Sequence, residues 1–401
     1  MHNVRQVAPD LWWVGANDRR TTLFENIHPI PRGVSYNSYL LLDEKTVLFD
    51  CVDWSAAPQL VENVEHLLNG RGLDYIVLHH LEPDHGAGLW AVAQRWPEAK
   101  IVAGLAALRF MDQFGFAPIP GERITAKEGD RLSFGKHAVT FYAAPMVHWP
   151  DVMVSYEETE GILFSADAFG TFGALNGALF NDEVDFEGVW LDDARRYYTN
   201  IVGKYGPQTQ AVLTKAAGLD IKMICPLHGP VWRSDIGWFV GKYDKWSRYE
   251  PEDREVLLVY GSMYGGTEQA ADALASLLVQ RGVKVSVYDV SSTHVSQLIS
   301  ESFRCSHIVI ASVTYNMDFY PPVRDYLEDM KALALKGRTF ALMENGTWAP
   351  NAGKLMGDFI TEELGGTLLE PRVTMKSTLS GAQAGELEAL ADAVAADVKG
   401  K

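Results

Sequence analysis

Cysteine is scarce in this chain of 401 residues. Cys51, Cys225 and Cys305 are odd in number and far apart, which excludes a disulfide framework and a tetrahedral thiolate metal site. They read as small buried hydrophobes. Long apolar runs are missing as well, since no stretch approaches the roughly 20 residues needed to span a bilayer. The N-terminal segment MHNVRQVAPDLWW has no basic stretch followed by an apolar one. A cytoplasmic protein with no membrane partner is therefore expected. Positive charge is in deficit: Lys and Arg total 35 against 52 Asp and Glu, a formal net charge of -17. Such a surface repels phosphate backbones, so no nucleic-acid partner is expected. Internal repeats and low-complexity tracts are absent.

What is present is ordinary globular composition, 47% hydrophobic and 22% charged, in a chain longer than one core usually organises. Two domains are expected. The first half reads as short strands, YNSYLLL, TVLFD, YIVLH, KIVAG, HAVTFYA and VMVSYE, with helical spacing in AAPQLVENVEHLLNG and again between Glu187 and Gly218. Two groups of strands with helices outside predict a four-layer αββα sandwich of the α+β class. From Glu255 the pattern becomes strict strand, loop, helix alternation: EVLLVY, EQAADALASLLVQRG, VKVSVYDV, HIVIAS, PPVRDYLEDMKALAL and RTFALME. That alternation predicts an α/β doubly wound parallel sheet. The segment SRYEPEDRE, with Pro251 and its charges, reads as the linker, dividing the chain into 1–250 and 251–401.

The densest chemistry lies in IVLHHLEPDHGAG. An apolar strand there releases His80, Glu82, Asp84 and His85 onto one short loop, where alternate side chains can face one centre. His148 in APMVHWPD, Asp167 in ILFSADAFG and His228 in MICPLHGP each follow a strand or strand-like run and have the context of further ligands. In the second half, EVLLVY runs into GSMYGGTEQ. Glycines exposing backbone N–H groups, hydroxyls and a helix N-terminus make an anion cradle without lysine, which argues against a nucleoside triphosphatase. Two more loops, SVTYNMDFYPP and NGTWAPNAG, stand after strands HIVIAS and RTFALME, at the carboxyl ends where such sheets bind ligands.

The order and spacing of the first-half residues resemble the metallo-β-lactamase fold, whose usual H-x-H-x-D-H motif holds two zinc ions. Here Glu82 replaces the second histidine. A hard carboxylate in place of imidazole favours redox-active iron over zinc, and H-x-E-x-D-H is the flavodiiron variant. The GSMYGGTEQ loop likewise resembles the FMN-phosphate loop of flavodoxins, with the aromatic Tyr264 usual in flavodiiron proteins. The likeness to that family covers essentially the whole chain.

The resemblance implies iron held by His80, Glu82 and His148, a second iron held by Asp84, His85 and His228, and Asp167 bridging them. His79 is out of register with the motif and reads as structural or as a support behind the ligands. FMN is expected on Ser262, Met263, Tyr264, Gly265, Gly266 and Thr267 at its phosphate end. Thr314, Tyr315, Asn316, Asp318, Asn345, Gly346, Thr347, Trp348 and Ala349 are expected around its ring. Tyr198, in RRYYTNIVGKYGPQT, matches a tyrosine the family places near the metals. The implied reaction is reduction of dioxygen to water or of nitric oxide to nitrous oxide. Two ferrous ions and a fully reduced FMN hold the four electrons that dioxygen needs, and nitric oxide needs fewer.

Because FMN and irons of one chain lie far apart in this family, a head-to-tail homodimer, or a dimer of dimers, is expected. No rubredoxin-like CxxC pairs occur before Lys401, so rubredoxin or a similar separate donor is expected. One departure stands out: Phe24-Glu25-Asn26 replaces the Phe-His-Gly that many members have in a loop at the substrate pocket. His28 lies nearby without an assigned role. The competing readings are a zinc hydrolase fused to a flavodoxin, and an electron carrier on a metal-free scaffold.

Overall fold

A computed structural model describes residues 2–115 and 119–400. The chain forms two units, residues 1–244 and 245–401.

In the first unit one sheet has seven strands. Their order is Arg5–Ala8, Leu11–Trp13, Tyr39–Leu42, Thr46–Phe49, Tyr75–Leu78, Lys100–Gly104 and Arg123–Ala126. A second sheet of five runs Arg131–Ser133, Ala138–Ala143, Met153–Glu157, Ile162–Phe164 and Met223–Cys225. All six strands expected in this half are present. The sheets face each other through aromatic rings. Phe49 of the first stacks on Phe164 of the second at 4.0 Å between centroids, and Tyr39 meets Phe164 edge-on. Offset stacking of this kind adds to the area buried between two apolar sheet faces.

Parallel neighbours need a crossover, and helix Ala57–Leu68 supplies it between Thr46–Phe49 and Tyr75–Leu78. Pro58 stands in its first turn, where a missing N–H costs nothing, and Asn69 ends it in the left-handed conformation. Leu60, Val64 and Leu68 are buried from the inward face. The segment after Phe186 is less regular: π-helical turns Phe186–Trp190 and Tyr198–Val202 bracket a short α-helix, Leu191–Tyr197.

The second unit is a parallel sheet in the order Val285–Asp289, Asp253–Gly261, Cys305–Val313, Thr339–Asn345, Thr367–Leu368, with Val373–Met375 also beside Thr339–Asn345. Its strands are near-continuous Val, Leu, Ile and Ala, as burial on both faces requires. Val256, Leu258, Val309, Ala341 and Met343 pack with Leu274, Leu390 and Val394 of the covering helices. The order reverses between Asp253–Gly261 and Cys305–Val313. Loops leaving the carboxyl ends beside that switch point frame a ligand crevice.

Candidate metal and flavin sites

The loop after strand Tyr75–Leu78 is held from several sides. His79 N–H donates to Asp50 Oδ1 at 2.8 Å, and Leu81 N–H to Asp151 Oδ2 at 2.9 Å. The buried His79 ring is clamped between the Asp50 carboxylate and Ser155 Oγ, so it supports the loop from behind. Glu82 then caps a single helical turn, Pro83–Gly86, that carries Asp84 and His85.

The seven residues singled out from sequence fall into two clusters: His80, Glu82, His148 and Asp167 in one, and Asp84, His85 and His228 in the other, with donor atoms within 4.8 Å of each other in each. Asp167 faces both. Its Oδ2 lies 2.9 Å from His80 Nε2 and 3.3 Å from His148 Nε2, while its Oδ1 lies 3.2 Å from His85 Nε2 and 3.6 Å from His228 Nε2. His228 Nδ1 sits 2.7 Å from the Ser35 carbonyl, which fixes Nδ1–H as the donor and leaves the Nε2 lone pair for a ligand.

The polar atoms of His80, Asp84, His85 and Asp167, and His228 Nε2, are buried and make no hydrogen bond of good geometry. Buried donors and acceptors are almost always satisfied. Only Glu82 and His148 among the seven pair within hydrogen-bond geometry, at 2.9 Å; the other converging lone pairs fit two metal ions, and carboxylate oxygen with imidazole nitrogen suits iron.

With no cation between them, the carboxylates and imidazoles of the clusters compensate one another's charge. Burial opposes charge on His80, yet Asp167 and Glu82 push its imidazole well above the usual range. For His148 burial is likewise outweighed, by Asp167 and Glu82, and its value rises to about 10. Burial would raise Asp167, but the surrounding histidines hold it well below the usual carboxylate range.

Tyr197, not Tyr198, is the tyrosine beside the clusters. Its ring is 5.5 Å from the His228 ring and 5.1 Å from Phe172. Burial first, then Asp167, Asp84 and Glu82, keep its hydroxyl protonated by raising it far above the usual phenol. Tyr198 turns away onto Tyr243, 4.9 Å between rings. The loop with the unusual residues does border the clusters: the Phe24 ring is 5.3 Å from His228. Partial desolvation and then Glu82 push Glu25, about a third of its side chain exposed, up to about 7. His28 is buried next to Phe172, its Nε2 3.9 Å from Glu25.

In the second unit a cavity of about 520 Å³ opens at the switch point. Ser262, Met263, Tyr264, Gly266 and Thr267 line one end, Thr314, Tyr315 and Asn316 a second wall, and Asn345, Gly346, Thr347, Trp348 and Ala349 a third. Gly265 and Asp318, also expected there, do not line it. Gly265 instead caps helix Gly266–Gln280 with a left-handed backbone, its N–H donating to Ser262 Oγ at 3.1 Å. Asp318 pairs with Arg324 and closes a turn with Tyr315. Sequence reading missed Val313, Met317, Ser377 and Thr378 in the lining. Tyr264 and Trp348, 96% and 86% exposed, stand at the cavity as free aromatic faces. The cradle of hydroxyls and helix N–H groups suits a phosphate, and the aromatic walls suit a flat ring.

Comparison with known proteins covers both units. Residues 34–229 match the family described as ODP family beta lactamase, and residues 258–398 match flavodoxin. The chain is 32% identical over 348 residues to an anaerobic nitric oxide reductase flavorubredoxin of Vibrio vulnificus, covering 85% of this chain and 70% of that protein. It is 31% identical over 394 residues to a rubredoxin-oxygen oxidoreductase of Megalodesulfovibrio gigas, covering 97% and 96%. Among solved structures, the rubredoxin oxygen:oxidoreductase of Desulfovibrio gigas superposes with a TM-score of 0.92 at 29% identity, covering 99% of both chains. The flavodiiron protein of Giardia intestinalis gives 0.93 at 25% identity, covering 99% of this chain and 98% of that one.

Proposed function

Because this chain belongs to the flavodiiron protein family, we propose that it is an oxidoreductase that reduces dioxygen to water, nitric oxide to nitrous oxide, or both, using FMN and a non-haem diiron centre. The observation that carries the reading is Asp167, whose two oxygens face two separate donor sets. In this assignment His80, Glu82 and His148 would hold one iron and Asp84, His85 and His228 the other, with Asp167 available to both. A bound iron pair supplies reversible one-electron chemistry at two adjacent positions. The protein's own part is to fix the donors, to exclude water behind Phe24 and Phe172, and to hold a proton on the Tyr197 hydroxyl. FMN occupies the cavity at the switch point, and the functional division of the chain is drawn at 250/251.

Names of relatives support rubredoxin, or a similar small redox protein, as electron donor. A head-to-tail homodimer and a cytoplasmic location complete the proposal. Among the described residues no helix is long and apolar enough to cross a membrane.

The test is elemental and flavin analysis joined to turnover. Protein prepared with iron and zinc both available is expected to carry about two irons and one FMN per chain, and to consume oxygen or nitric oxide with reduced rubredoxin. Stoichiometric zinc with negligible iron would favour the hydrolase reading instead.

A further inference from the structure

We propose that the turn Ser377–Thr378 is a fourth cofactor-binding segment, closing the phosphate end of the flavin cavity, and that Asn345 is the residue that positions it. This rests on the assignment of the cavity to FMN. The turn follows strand Val373–Met375, which runs beside Thr339–Asn345 with Met375 opposite Asn345. Both turn residues line the cavity.

The turn lies against the start of helix Gly266–Gln280. A Cβ on Gly266 would come 2.2 Å from the Ser377 carbonyl oxygen and 3.4 Å from Thr378 Cγ2. Glycine at 266 therefore serves this close approach as well as exposing the helix N–H groups. Ser377 itself has a left-handed backbone, φ 77°, a conformation that a non-glycine residue keeps only when its surroundings hold it.

Asn345 supplies that hold. Its Nδ2 donates to Thr267 Oγ1 at 3.2 Å and to the Ser377 carbonyl at 2.9 Å, while its Oδ1 accepts the Ser377 N–H at 2.9 Å. Both donor hydrogens of the amide are engaged, so this side chain joins two cavity walls and does not address the flavin. Ser377 Oγ also lies 3.1 Å from Thr347 Oγ1, on the third wall. Ser377 and Thr378 thus bring two hydroxyl-bearing residues to the cavity beside a phosphate loop that has no lysine. A phosphate dianion draws more from such donors than an uncharged ribityl hydroxyl does. The segment is accordingly a determinant of FMN over riboflavin.

The test uses the holoprotein, measuring FMN release and its displacement by graded riboflavin, read by fluorescence. Ser377→Ala with Thr378→Val nearly keeps the side-chain bulk but removes both hydroxyls. It is expected to lower the preference for FMN over riboflavin by about tenfold, with riboflavin affinity nearly unchanged. Asn345→Leu removes the hold and is expected to lower the same ratio with both hydroxyls present. Should Asn345→Leu fail to fold, Asn345→Ser, which stays neutral and is too short to hold both Ser377 and Thr267, is measured in its place with the same expectation. A hydroxyl-free variant with the wild-type ratio overturns the proposal, as does an equal loss of both flavins. A wild-type protein that holds no flavin overturns the FMN assignment itself.

Discussion

Adjacent tyrosines differ by about 100° around a helix, so only one of Tyr197 and Tyr198 can face the metal donors. The one that does is Tyr197, its ring 5.5 Å from that of His228, with burial and then Asp167, Asp84 and Glu82 keeping it protonated. Carboxylates alone make that hydroxyl a weak acid; two bound cations among them would counter their charge and bring it back toward a working range, where a positioned acid typically contributes 10²–10⁴ in rate. Tyr197→Phe is expected to lower the turnover number at least about tenfold with iron content unchanged. Tyr198→Phe, buried against Tyr243, is expected to stay within about twofold. Steady-state consumption with metal analysis checks both, and the opposite ranking would return the role to Tyr198. The sequence contains both tyrosines but not their phase. An α-helix gives way to a π-turn at this point, and the resulting shift in phase cannot be counted from spacing. His80, Glu82, Asp84 and His85 were legible for the opposite reason, since six successive residues on one strand end define their own local geometry.

Contacts between elements are less local, and the sequence conveys them less well. The doubly wound alternation after Glu255 was readable because strand and helix periods differ. The turn at Ser377 was not, because it reaches Gly266 of the phosphate loop, 111 residues before it, only through sheet closure. The same holds for the bond between two cavity walls made by Thr314. Its Oγ1 accepts the N–H groups of Asn351 and Ala352, at 2.8 and 3.0 Å, at the start of helix Ala352–Glu362. Thr314→Val keeps the shape and loses this cap, with an expected cost of about 1 kcal/mol in urea unfolding. No measurable loss would mean that water replaces it. A second tie, His307 Nε2 to Asp397 Oδ2 at 2.8 Å, joins strand Cys305–Val313 to helix Ala384–Val398. Burial, outweighing Asp397, lowers the His307 imidazole below its ordinary 6.5. The unfolded chain then binds more protons than the folded one between those values, so stability rises with pH there. The contribution is whole above the ordinary value and lost as pH falls through the lowered one. His307→Gln is expected to flatten this part of the stability–pH curve, and an unchanged slope would assign it to another group.

At the scale of the whole molecule, each unit has its own buried core and its own site, so either site can be disabled without touching the other. Asp84→Ala removes a metal donor from the first. Gly266→Val places bulk against the Ser377 carbonyl and closes the phosphate cradle of the second. Each variant is expected to be inactive with an external donor, one retaining FMN and the other retaining iron. If electrons pass from the FMN of one chain to the irons of a partner, a mixed dimer contains one pairing in which both sites are intact. Co-expressed chains with different tags, purified through both, are then expected to recover about half the wild-type rate per dimer, since one of two composite pairings survives. If each chain instead serves only its own irons, the mixed dimer has no intact route and stays as inactive as its parents. Oxygen or nitric oxide consumption by the doubly purified sample separates the two outcomes, because contaminating homodimers of either variant contribute nothing.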